Sequence, residues 1–500
     1  MTKRGWTGPI FVIGPAHGLR RVYPPRSGFK LARGTHPTQA AREISNNQGR
    51  FPFFWQAASQ ADKEISVQPA SAAVASQDVK RTFQRHRLRI MLAITLGYGF
   101  IYTCRLGLSI VKKPLIDGGI FTVEELGMIG AALFYGYAAG KFLNGFLADY
   151  IKPRIFFSAS IFLSALINLA MGSSTLLWVS VALWALNGWF QGMAAPSAVI
   201  TITNWFGLHE RGRRYGIWSA SHAIGEGITF YFMAAVVAAY GWRFGYITPG
   251  IMCIAVAAWV FSFMRNAPPT IGLPTVNEWL GADPDPPKER STWQTQKIIF
   301  GITAMWVVAV ASALMYVTRY AINSWGVLYL QEIRGYSLVD AGFFLAINTV
   351  AGIVGSIAYG YLSDKCFDAR RPPANLIFAI VEIIALVAIF FGPQNDVVLF
   401  FAFVIYGAAL SGLIASVGGL FGVDIAPRGA TGAALGFVGV FSYLGAAIQE
   451  NVSAALISRE MTMVDGVRVY DFDLAIYLWI GTSVVSMLLA ATLWNTKIRD

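Results

Sequence analysis

Charged residues are scarce in this sequence: Asp, Glu, Lys and Arg together make up 13% of the 500 residues. A soluble globular domain carries about 25% charged residues. Here 55% of the chain is hydrophobic and the mean hydropathy is +0.52. The chain also lacks the alternation of polar and apolar residues over about ten positions that marks a membrane β-barrel strand. We therefore predict an integral membrane protein whose spans are α-helical.

Cysteine is rare as well, and its positions follow no metal or disulfide pattern. The three cysteines are Cys104, Cys253 and Cys366, and the first two fall inside apolar runs. The sequence shows no carboxylate–histidine cluster with metal-ligand spacing and no nucleophile–base motif. These absences predict that the chain is not an enzyme, a membrane phosphatase included, and that it needs no cofactor and no metal.

Acidic residues are fewer than basic ones, 27 against 39, which gives a net charge of +12. We exclude nucleic acid as a partner because the basic residues lie in the N-terminal tail and in short loops between apolar runs. Cytoplasmic loops of membrane proteins are enriched in Lys and Arg. One set of loops carries most of these residues: Lys152, Arg154, Arg211, Arg213, Arg214, Lys288, Arg290, Lys365, Arg370, Arg371 and Arg428. We expect a bacterial inner-membrane protein with both termini in the cytoplasm.

The apolar runs divide the chain into two sets of six. Residues 1–87 form a basic tail, predicted to be disordered and cytoplasmic, although a targeting segment or a start codon placed too far upstream are alternatives. Six runs occupy 88–265, a polar cytoplasmic loop occupies 266–297, and six more runs occupy 298–500. A membrane helix needs about 20 apolar residues. The predicted spans are 88–113, 123–149, 154–173, 175–205, 212–240, 243–264, 298–332, 337–364, 373–392, 396–423, 429–457 and 472–495. The fold class is therefore an all-α membrane protein with twelve transmembrane helices, and we expect a monomer in the lipid bilayer.

The two halves repeat each other at a fixed offset of 215 positions. The segment 122–127 matches 337–342, and the segment 145–149 matches 360–364. Arg211-Gly212 and Arg428-Gly429 likewise precede the fifth span of each half. Parallel repeats with a substrate site between them at the membrane midplane describe the major facilitator architecture. We therefore predict two pseudo-symmetric six-helix halves.

Two arginines lie deep inside the predicted membrane, at matched places in the two halves. Arg105 follows Tyr102 by three positions in the first span, and Arg319 follows Tyr316 by three positions in the seventh. A charged side chain at this depth is costly and is usually retained for function. The alternative is that each arginine is paired off in the interior. Because guanidinium groups grip phosphate bidentately, two matched ones favour a shared site for a tetrahedral oxyanion.

Other polar side chains are predicted to line the same site. Tyr98 shares a helix face with Tyr102 and Arg105. Lys141 lies in the middle of the second span, one turn after Tyr137, although snorkelling toward the interface is its alternative.

The fifth span carries Trp218, His222 and Glu226 at intervals of four, on one face. Packing is the alternative for His222, and Glu226 is predicted to be its charged partner.

In the eleventh span, Gln449 and Glu450 could bind sugar hydroxyls or bond to neighbouring helices. The acidic and basic residues of two loops are predicted to lock or gate the cytoplasmic side rather than to contact substrate. These residues are Asp149, Arg154, Asp364 and Lys365.

Residues 88–497 resemble the organophosphate:phosphate antiporters of the major facilitator superfamily, which include glycerol-3-phosphate and hexose-phosphate transporters and a hexose-phosphate sensor. The motifs behind the resemblance are Tyr-x-x-Arg105, Lys141-Phe-x-x-Gly-x-x-x-Asp149, Trp218-x-x-x-His222, Tyr-x-x-Arg319, Tyr406-Gly and Phe-x-Tyr443-Leu-Gly. The resemblance implies that Arg105 and Arg319 hold the phosphate. It implies supporting contacts from Lys141, His222, Tyr98, Tyr102, Tyr137, Tyr316, Trp218, Tyr406 and Tyr443.

The sequence departs from the glycerol-3-phosphate carriers in several places. Leu106 stands where those carriers have a basic residue, and the stretch 192–196 lacks an expected tryptophan. The pair Lys112-Lys113 and the acids Glu226 and Glu450 look more like the hexose-phosphate branch. The resemblance thus implies exchange of a sugar phosphate, preferably a hexose phosphate, for inorganic phosphate. The alternatives are a membrane sensor of hexose phosphate that signals to a partner, a glycerol-3-phosphate:phosphate antiporter, and a facilitator for an organic acid.

Overall fold

The computed structural model describes residues 69–280, 293–368, 370–427, 430–459, 462–464 and 467–496. A single compact unit covers Ala75–Asp500. The predicted tail up to residue 68, the loop residues Lys288 and Arg290, and the repeat residues Arg428 and Gly429 lie outside the described residues.

The N-terminal half contains six spans in the order predicted. The first span is formed by the helices Pro69–Ile101 and Thr103–Asp117, the second by Val123–Leu147 and the third by Pro153–Ser173. The fourth contains Leu177–Gln191 and Ala194–Trp205, the fifth contains Leu208–Ile228, the π-helical turn Thr229–Met233 and Ala234–Tyr240, and the sixth is Phe244–Phe263. Short helices follow at Pro268–Ile271 and Val276–Leu280, and another lies at Trp293–Phe300.

The C-terminal half repeats this order with more interruptions. The seventh span comprises Thr303–Tyr320, the π-helical turn Ala321–Trp325 and Gly326–Glu332; the eighth comprises Leu338–Tyr361 and the π-helical turn Leu362–Cys366. The ninth is Arg371–Phe391, and the tenth comprises Asp396–Ala415, the π-helical turn Ser416–Leu420 and Phe421–Ile425. The eleventh is Thr431–Arg459 and the twelfth is Asp473–Thr492, with the antiparallel strands Thr462–Val464 and Val467–Val469 between them.

Within the described residues, eleven helices are long and apolar enough to cross a membrane. The fourth span falls short of that length because it is broken between Gln191 and Ala194, where Gly192 lies against Gly140 and Lys141 of the second span. A Cβ atom on Gly192 would stand 2.8 Å from the Gly140 carbonyl carbon. The two pieces together span the bilayer, so the predicted all-α fold with twelve transmembrane helices is confirmed.

The first helix begins at Pro69, well before the predicted start of the first span at 88. Phe83 on this extension is fully buried and stacks on Trp279 at 5.0 Å between ring centroids. It also contacts Trp205 at the end of the fourth span. The extension is therefore held by the short helix of the central loop, and membrane hydropathy alone does not detect such packing.

The second and eighth spans both begin with a side-chain N-terminal cap. Thr122 and Glu125 make a reciprocal capping box, in which each side chain bonds the other residue's backbone N–H. In the other half, Ser337 accepts from the backbone N–H of Asp340. Capping satisfies backbone donors that the first turn of a helix leaves free. Corresponding sequence positions thus begin corresponding helices, which supports the duplication.

The spans within each half pack backbone against backbone. A Cβ atom on Gly188 would stand 2.0 Å from the Leu133 carbonyl oxygen, which joins the fourth span to the second. A Cβ atom on Gly355 would stand 2.0 Å from the Ala408 carbonyl oxygen, which joins the eighth span to the tenth. Small residues allow this approach between membrane helices, where no hydrophobic effect drives association.

The glycines of the described residues differ between the two ends of the bundle in how closely the other half approaches them. We call the side that carries the loop 148–152 the terminal face and the side that carries the hairpin 462–469 the distal face. Near the distal face, a Cβ atom on Gly127 would stand 2.3 Å from the Ala454 Cβ atom, so the second and eleventh spans touch. Near the terminal face, a Cβ atom on Gly145 or on Gly436 would meet nothing within 4 Å.

The fifth and eighth spans follow the same pattern. A Cβ atom on Gly342 would stand 2.2 Å from the Phe230 carbonyl oxygen near the distal face. Gly360 lies about five helical turns away on the same face of its helix, and a Cβ atom there would meet nothing within 4 Å. Gly216 on the fifth span is equally open. At these glycines the halves are therefore in close contact near the distal face, and there is open space near the terminal face.

We expect Gly355→Ala to destabilise the protein, because the added methyl group meets backbone of the tenth span that cannot rotate away. Overpacking of this kind costs about 1–3 kcal/mol. Gly360→Ala is the matched control in the same span, and it should be neutral or stabilising because Ala is favoured over Gly in a helix by about 1 kcal/mol. Thermal unfolding of the purified protein in detergent measures both. Equal transition temperatures for the two variants would contradict the close packing of the eighth and tenth spans.

Candidate functional site

Arg105 is buried at the centre of the bundle. Its side chain lies between the rings of Tyr102 and Tyr137, at 4.6 and 4.3 Å from their centroids. Its Nε donates to the Gln191 side-chain oxygen at 2.8 Å. Its Nη1 is buried and has no hydrogen-bond partner among the described residues. The guanidinium group is thus held in place through one edge and keeps donor capacity for a ligand.

Gln191 is itself fixed by a polar network in the N-terminal half. Its amide nitrogen donates to the Ser164 hydroxyl and to the Asn187 side-chain oxygen, at 2.9 and 3.1 Å. Asn187 and Asn168 both donate to the Cys104 carbonyl oxygen, next to Arg105 in the chain. The third and fourth spans therefore orient the first arginine.

Arg319 occupies the corresponding place in the C-terminal half, with 5% of its surface exposed. Tyr316 and Tyr320 lie beside it, at 5.4 and 5.3 Å from its guanidinium carbon. Its Nη2 donates to the Glu226 carboxylate at 3.0 Å. This ion pair joins the seventh span to the fifth and hence one half to the other.

A cluster of aromatic rings connects the two arginines across the interface between the halves. Tyr443 lies 4.3 Å from Tyr137 and 5.4 Å from Tyr316, between ring centroids. Phe134 and Tyr320 are also 4.3 Å apart. Both arginines interact electrostatically with Tyr102 and with Tyr320. The two guanidinium groups thus border one shared central region.

The remaining members of the predicted site lie around this region. The Lys141 Nζ is 5.4 Å from the Tyr443 ring centroid, and the His222 ring is 5.7 Å from that of Tyr102. The His222 Nδ1 contacts the Ser219 carbonyl oxygen of its own helix. Tyr98 packs against Trp218 at 4.7 Å.

Two predicted site residues lie away from the two arginines. Tyr406 is fully buried and donates to the Thr318 carbonyl oxygen at 3.1 Å, so it supports the backbone beside Arg319. Glu450 is also fully buried, and its carboxylate accepts from the Lys112 Nζ at 3.2 Å. Lys112 donates further to the Ser324 hydroxyl at 2.8 Å and lies 3.2 Å from the Trp325 ring centroid. In this conformation Glu450 belongs to a contact between the halves on the distal side of the arginines.

A second ion pair lies beside it, between Lys113 of the first span and Glu332 of the seventh. This pair is partly exposed, whereas neither side chain of the Lys112–Glu450 pair is exposed. We call Lys112, Lys113, Glu332 and Glu450 the distal charge cluster. Because its four residues come from both halves, it closes the distal face electrostatically.

The residues predicted to lock the terminal face act within single halves. Asp364 accepts from Arg371, which also binds Asp424, both at 2.9 Å. The Arg154 Nε donates to the Phe261 carbonyl oxygen at 2.6 Å. Asp149 and Lys365 are exposed. In the C-terminal half these contacts join the ninth span to the eighth and tenth, and in the N-terminal half they join the third span to the sixth. None of them joins one half to the other.

Two residues that contact the arginines, Tyr320 and Gln191, were not predicted from the sequence, and a third was assigned a different partner. Tyr320 lies next to Arg319 and one turn after Tyr316, a spacing that could have indicated it. Gln191 lies in an apolar run and belongs to no motif, so the sequence did not indicate it. Glu226 was predicted to pair with His222, one turn away in its own helix, and its carboxylate accepts a hydrogen bond from Arg319 instead.

The site is rich in donors that lack acceptors. Besides the Arg105 Nη1, the buried Trp218 Nε1 and the Tyr320 hydroxyl have no hydrogen-bond partner among the described residues. Buried donors are costly to leave unpaired. Two guanidinium groups with unpaired donors around them suit a ligand made of acceptor oxygens, and an oxyanion fits that description.

Comparisons with known proteins show the family to which the chain belongs. The sequence model of the Major Facilitator Superfamily matches residues 84–449. A protein described as "Membrane sensor protein UhpC" from Salmonella typhimurium is 31% identical over 394 residues, which cover 76% of this chain and 88% of that protein. A "Probable hexose phosphate transport protein" from Chlamydia pneumoniae is 30% identical over 390 residues, 74% of this chain and 84% of that protein.

Solved structures share the fold at low sequence identity. The crystal structure of a bacterial homolog of the human lysosomal transporter Spinster superposes with a TM-score of 0.65 at 15% identity, and covers 82% of this chain and 95% of that chain.

The chain belongs to the major facilitator superfamily and, within it, to the organophosphate:phosphate antiporter family. It is a multi-pass membrane transporter and not an enzyme.

We expect Glu450→Gln to lower the stability of this conformation far more than Glu332→Gln. Removing one partner of a buried ion pair leaves an uncompensated charge and costs about 3–5 kcal/mol, whereas an exposed pair contributes about 1 kcal/mol or less. Thermal unfolding in detergent measures the difference. Lys112→Met combined with Glu450→Gln should recover most of the loss, because no charge is then left unpaired. A double variant as unstable as Glu450→Gln alone would contradict the pairing.

Proposed function

We propose that this transporter exchanges a sugar phosphate, preferably a hexose phosphate, for inorganic phosphate by alternating access. The observation that carries the proposal is the pair of buried guanidinium groups, Arg105 and Arg319, one from each half. A phosphoryl group between them is a tetrahedral anion with acceptor oxygens directed to both sides. Bidentate arginine–phosphate contacts are geometrically specific and strong in a site shielded from water.

Binding of the anion favours movement of the carrier. A phosphoryl group that bridges Arg105 and Arg319 neutralises charge on both halves and draws them together, so that the terminal face closes while the distal face opens. A ligand shifts such an equilibrium only through contacts that differ between the two states. The bridging contact has this property, because it forms fully only when both halves reach the phosphoryl group.

The distal charge cluster and the open terminal face describe one end of the transport cycle. By the bias of Lys and Arg among the loops, the terminal face is cytoplasmic, and the site is then accessible from the cytoplasm. In the opposite state the pairs Lys112–Glu450 and Lys113–Glu332 must separate. Their side chains would then border the entrance for substrate from the distal side.

The preference for hexose phosphate follows from the polar side chains beyond the phosphoryl site. The hydroxyl groups of a sugar need both donors and acceptors. Glu450, Gln449 and Ser453 lie on the eleventh span at the distal end of the site, and the Gln449 side-chain oxygen is buried without a partner among the described residues. Lys141 adds a donor near Tyr443. The chlamydial relative is described as a probable hexose phosphate transport protein.

A second candidate is a sensor of hexose phosphate that signals to a partner protein, and it is favoured by the Salmonella relative, which is described as a membrane sensor protein. The same site would bind the sugar phosphate, and transport would be feeble. Counterflow of radiolabelled phosphate in liposomes separates the two candidates, since a transporter exchanges phosphate without any partner. Competition by glucose 6-phosphate, glycerol 3-phosphate and a dicarboxylate in the same assay identifies the substrate class.

We expect Arg105→Lys and Arg319→Lys each to abolish phosphate exchange, because an ammonium group cannot form the planar fork that holds two phosphate oxygens. Loss of a charged contact of this kind corresponds to a decrease of about 100-fold or more. Arg243→Lys makes the same change at an exposed position near the distal face and should leave exchange intact. The measurement is phosphate–phosphate exchange in proteoliposomes. Exchange at the wild-type rate by Arg319→Lys would rule out this site.

A further inference from the structure

The two arginines of the site differ in the charge of their partners. The Arg105 Nε donates to the neutral amide of Gln191, whereas the Arg319 Nη2 donates to the carboxylate of Glu226 at 3.0 Å. Glu226 and Arg319 are 4% and 5% exposed, so little water screens the pair. One of the two cations assigned to the phosphoryl group is therefore already matched by an anion of the protein.

The carboxylate and the guanidinium group come from opposite halves. Glu226 lies on the fifth span and Arg319 on the seventh. A phosphoryl group bound by Arg319 needs the same donors that Glu226 uses, and two anions close together on one guanidinium group repel each other. Substrate binding and the Glu226–Arg319 pair are therefore in competition.

Among the residues that the structure describes, the surroundings of Glu226 offer no second strong cation once Arg319 is taken. On its own helix, His222 lies one turn away, and the first span contributes Tyr102, which interacts electrostatically with Glu226. The eighth span contributes Thr349, whose hydroxyl oxygen would stand 3.2 Å from a Cβ atom on Gly227. Arg105 lies beyond, close enough to interact with His222. A carboxylate left unpaired in this place is costly as an anion and far less costly as a neutral acid.

Resting on the function proposed above, we propose that Glu226 couples this site to protons and allows net transport of the phosphorylated substrate together with H⁺. When the substrate anion takes the Arg319 guanidinium group, the Glu226 carboxylate accepts one proton from water at the open face. The loaded carrier reorients with Glu226 neutral. After the anion leaves on the other side, Glu226 releases that proton to water and binds Arg319 again.

The pair also determines which modes of transport are open to the carrier. Exchange of one anion for another requires only the loaded carrier to reorient. Net transport requires the carrier to return without substrate, and an unpaired Arg319 would oppose that return. The Glu226–Arg319 pair supplies the missing anion, so the carrier is able to return. Glu226 thus adds proton-coupled uptake to exchange.

The first experiment measures proton uptake on binding of inorganic phosphate. Isothermal titration of the purified protein near neutral pH, in buffers of different ionisation enthalpy, gives the protons taken up per phosphate bound. We expect the wild-type protein to take up more protons than Glu226→Gln, by as much as one. The ionisation of phosphate itself is common to both proteins and does not affect the difference. Glu124→Gln, an exposed acid at the start of the second span, should match the wild type.

The second experiment compares net uptake with exchange in proteoliposomes. Net uptake of phosphate into phosphate-free liposomes should rise with an inward proton gradient in the wild type. In Glu226→Gln the ratio of net uptake to exchange should fall by about tenfold or more, because the return with an unpaired buried guanidinium group is costly. Glu226→Asp keeps a carboxyl group and should recover part of the proton uptake and of the ratio, which a merely structural position would not explain.

The outcomes separate this inference from the proposed function. Phosphate exchange with equal proton uptake and equal ratios in wild type and Glu226→Gln overturns the coupling and leaves the exchange function standing. A wild-type protein that neither binds nor exchanges phosphate overturns both. If Glu226→Gln does not fold, Glu226→Asp decides, since a proton uptake and a ratio unlike those of Glu124→Gln support the coupling and identical values contradict it.

Discussion

The burial of two guanidinium groups between the halves is the constraint on which the rest of this molecule depends. An arginine at bilayer depth must find compensation in acceptors, rings or a counter-ion. The N-terminal half compensates Arg105 with an oriented amide and two tyrosine rings. In the C-terminal half, Arg319 is compensated by the rings of Tyr316 and Tyr320 and by the Glu226 carboxylate, which belongs to the other half. In the function proposed above, the substrate is the remaining source of compensation, and both positions share the role of binding it.

This difference gives the pseudo-symmetric protein an asymmetric charge pattern. The duplication places the arginines at equivalent positions, yet Glu226 on the fifth span serves the arginine of the opposite half. The distal charge cluster is asymmetric in the same manner, since its cations Lys112 and Lys113 both come from the first span. Charge on one half is thus repeatedly answered by charge on the other, so that movement of the halves exchanges one set of ion pairs for another. The alternating access proposed above would therefore be controlled by electrostatic as well as steric contacts.

The sequence indicated much of this arrangement but not its pairings. Hydropathy and the 215-residue offset were enough to predict the spans and the halves, because bilayer thickness and duplication leave periodic traces. Arg105 and Arg319 could be predicted since charge inside an apolar run is conspicuous. The partner of Glu226 could not be predicted, because spacing along a helix favours neighbours such as His222. The ion pair instead joins two residues that are 93 positions apart in the sequence. The break in the fourth span and the helical extension to Pro69 were equally hidden, since both result from packing against distant residues.

The glycine at position 130 has a consequence for how this transporter family can diversify. A Cβ atom there would stand 2.7 Å from the Glu450 Oε2, so the absence of a side chain at this point lets the carboxylate lie against the second span. A side chain at position 130 would require the Glu450 carboxylate to move, and its pair with Lys112 would then rearrange. The three positions should be inherited together, as a single character that marks a lineage.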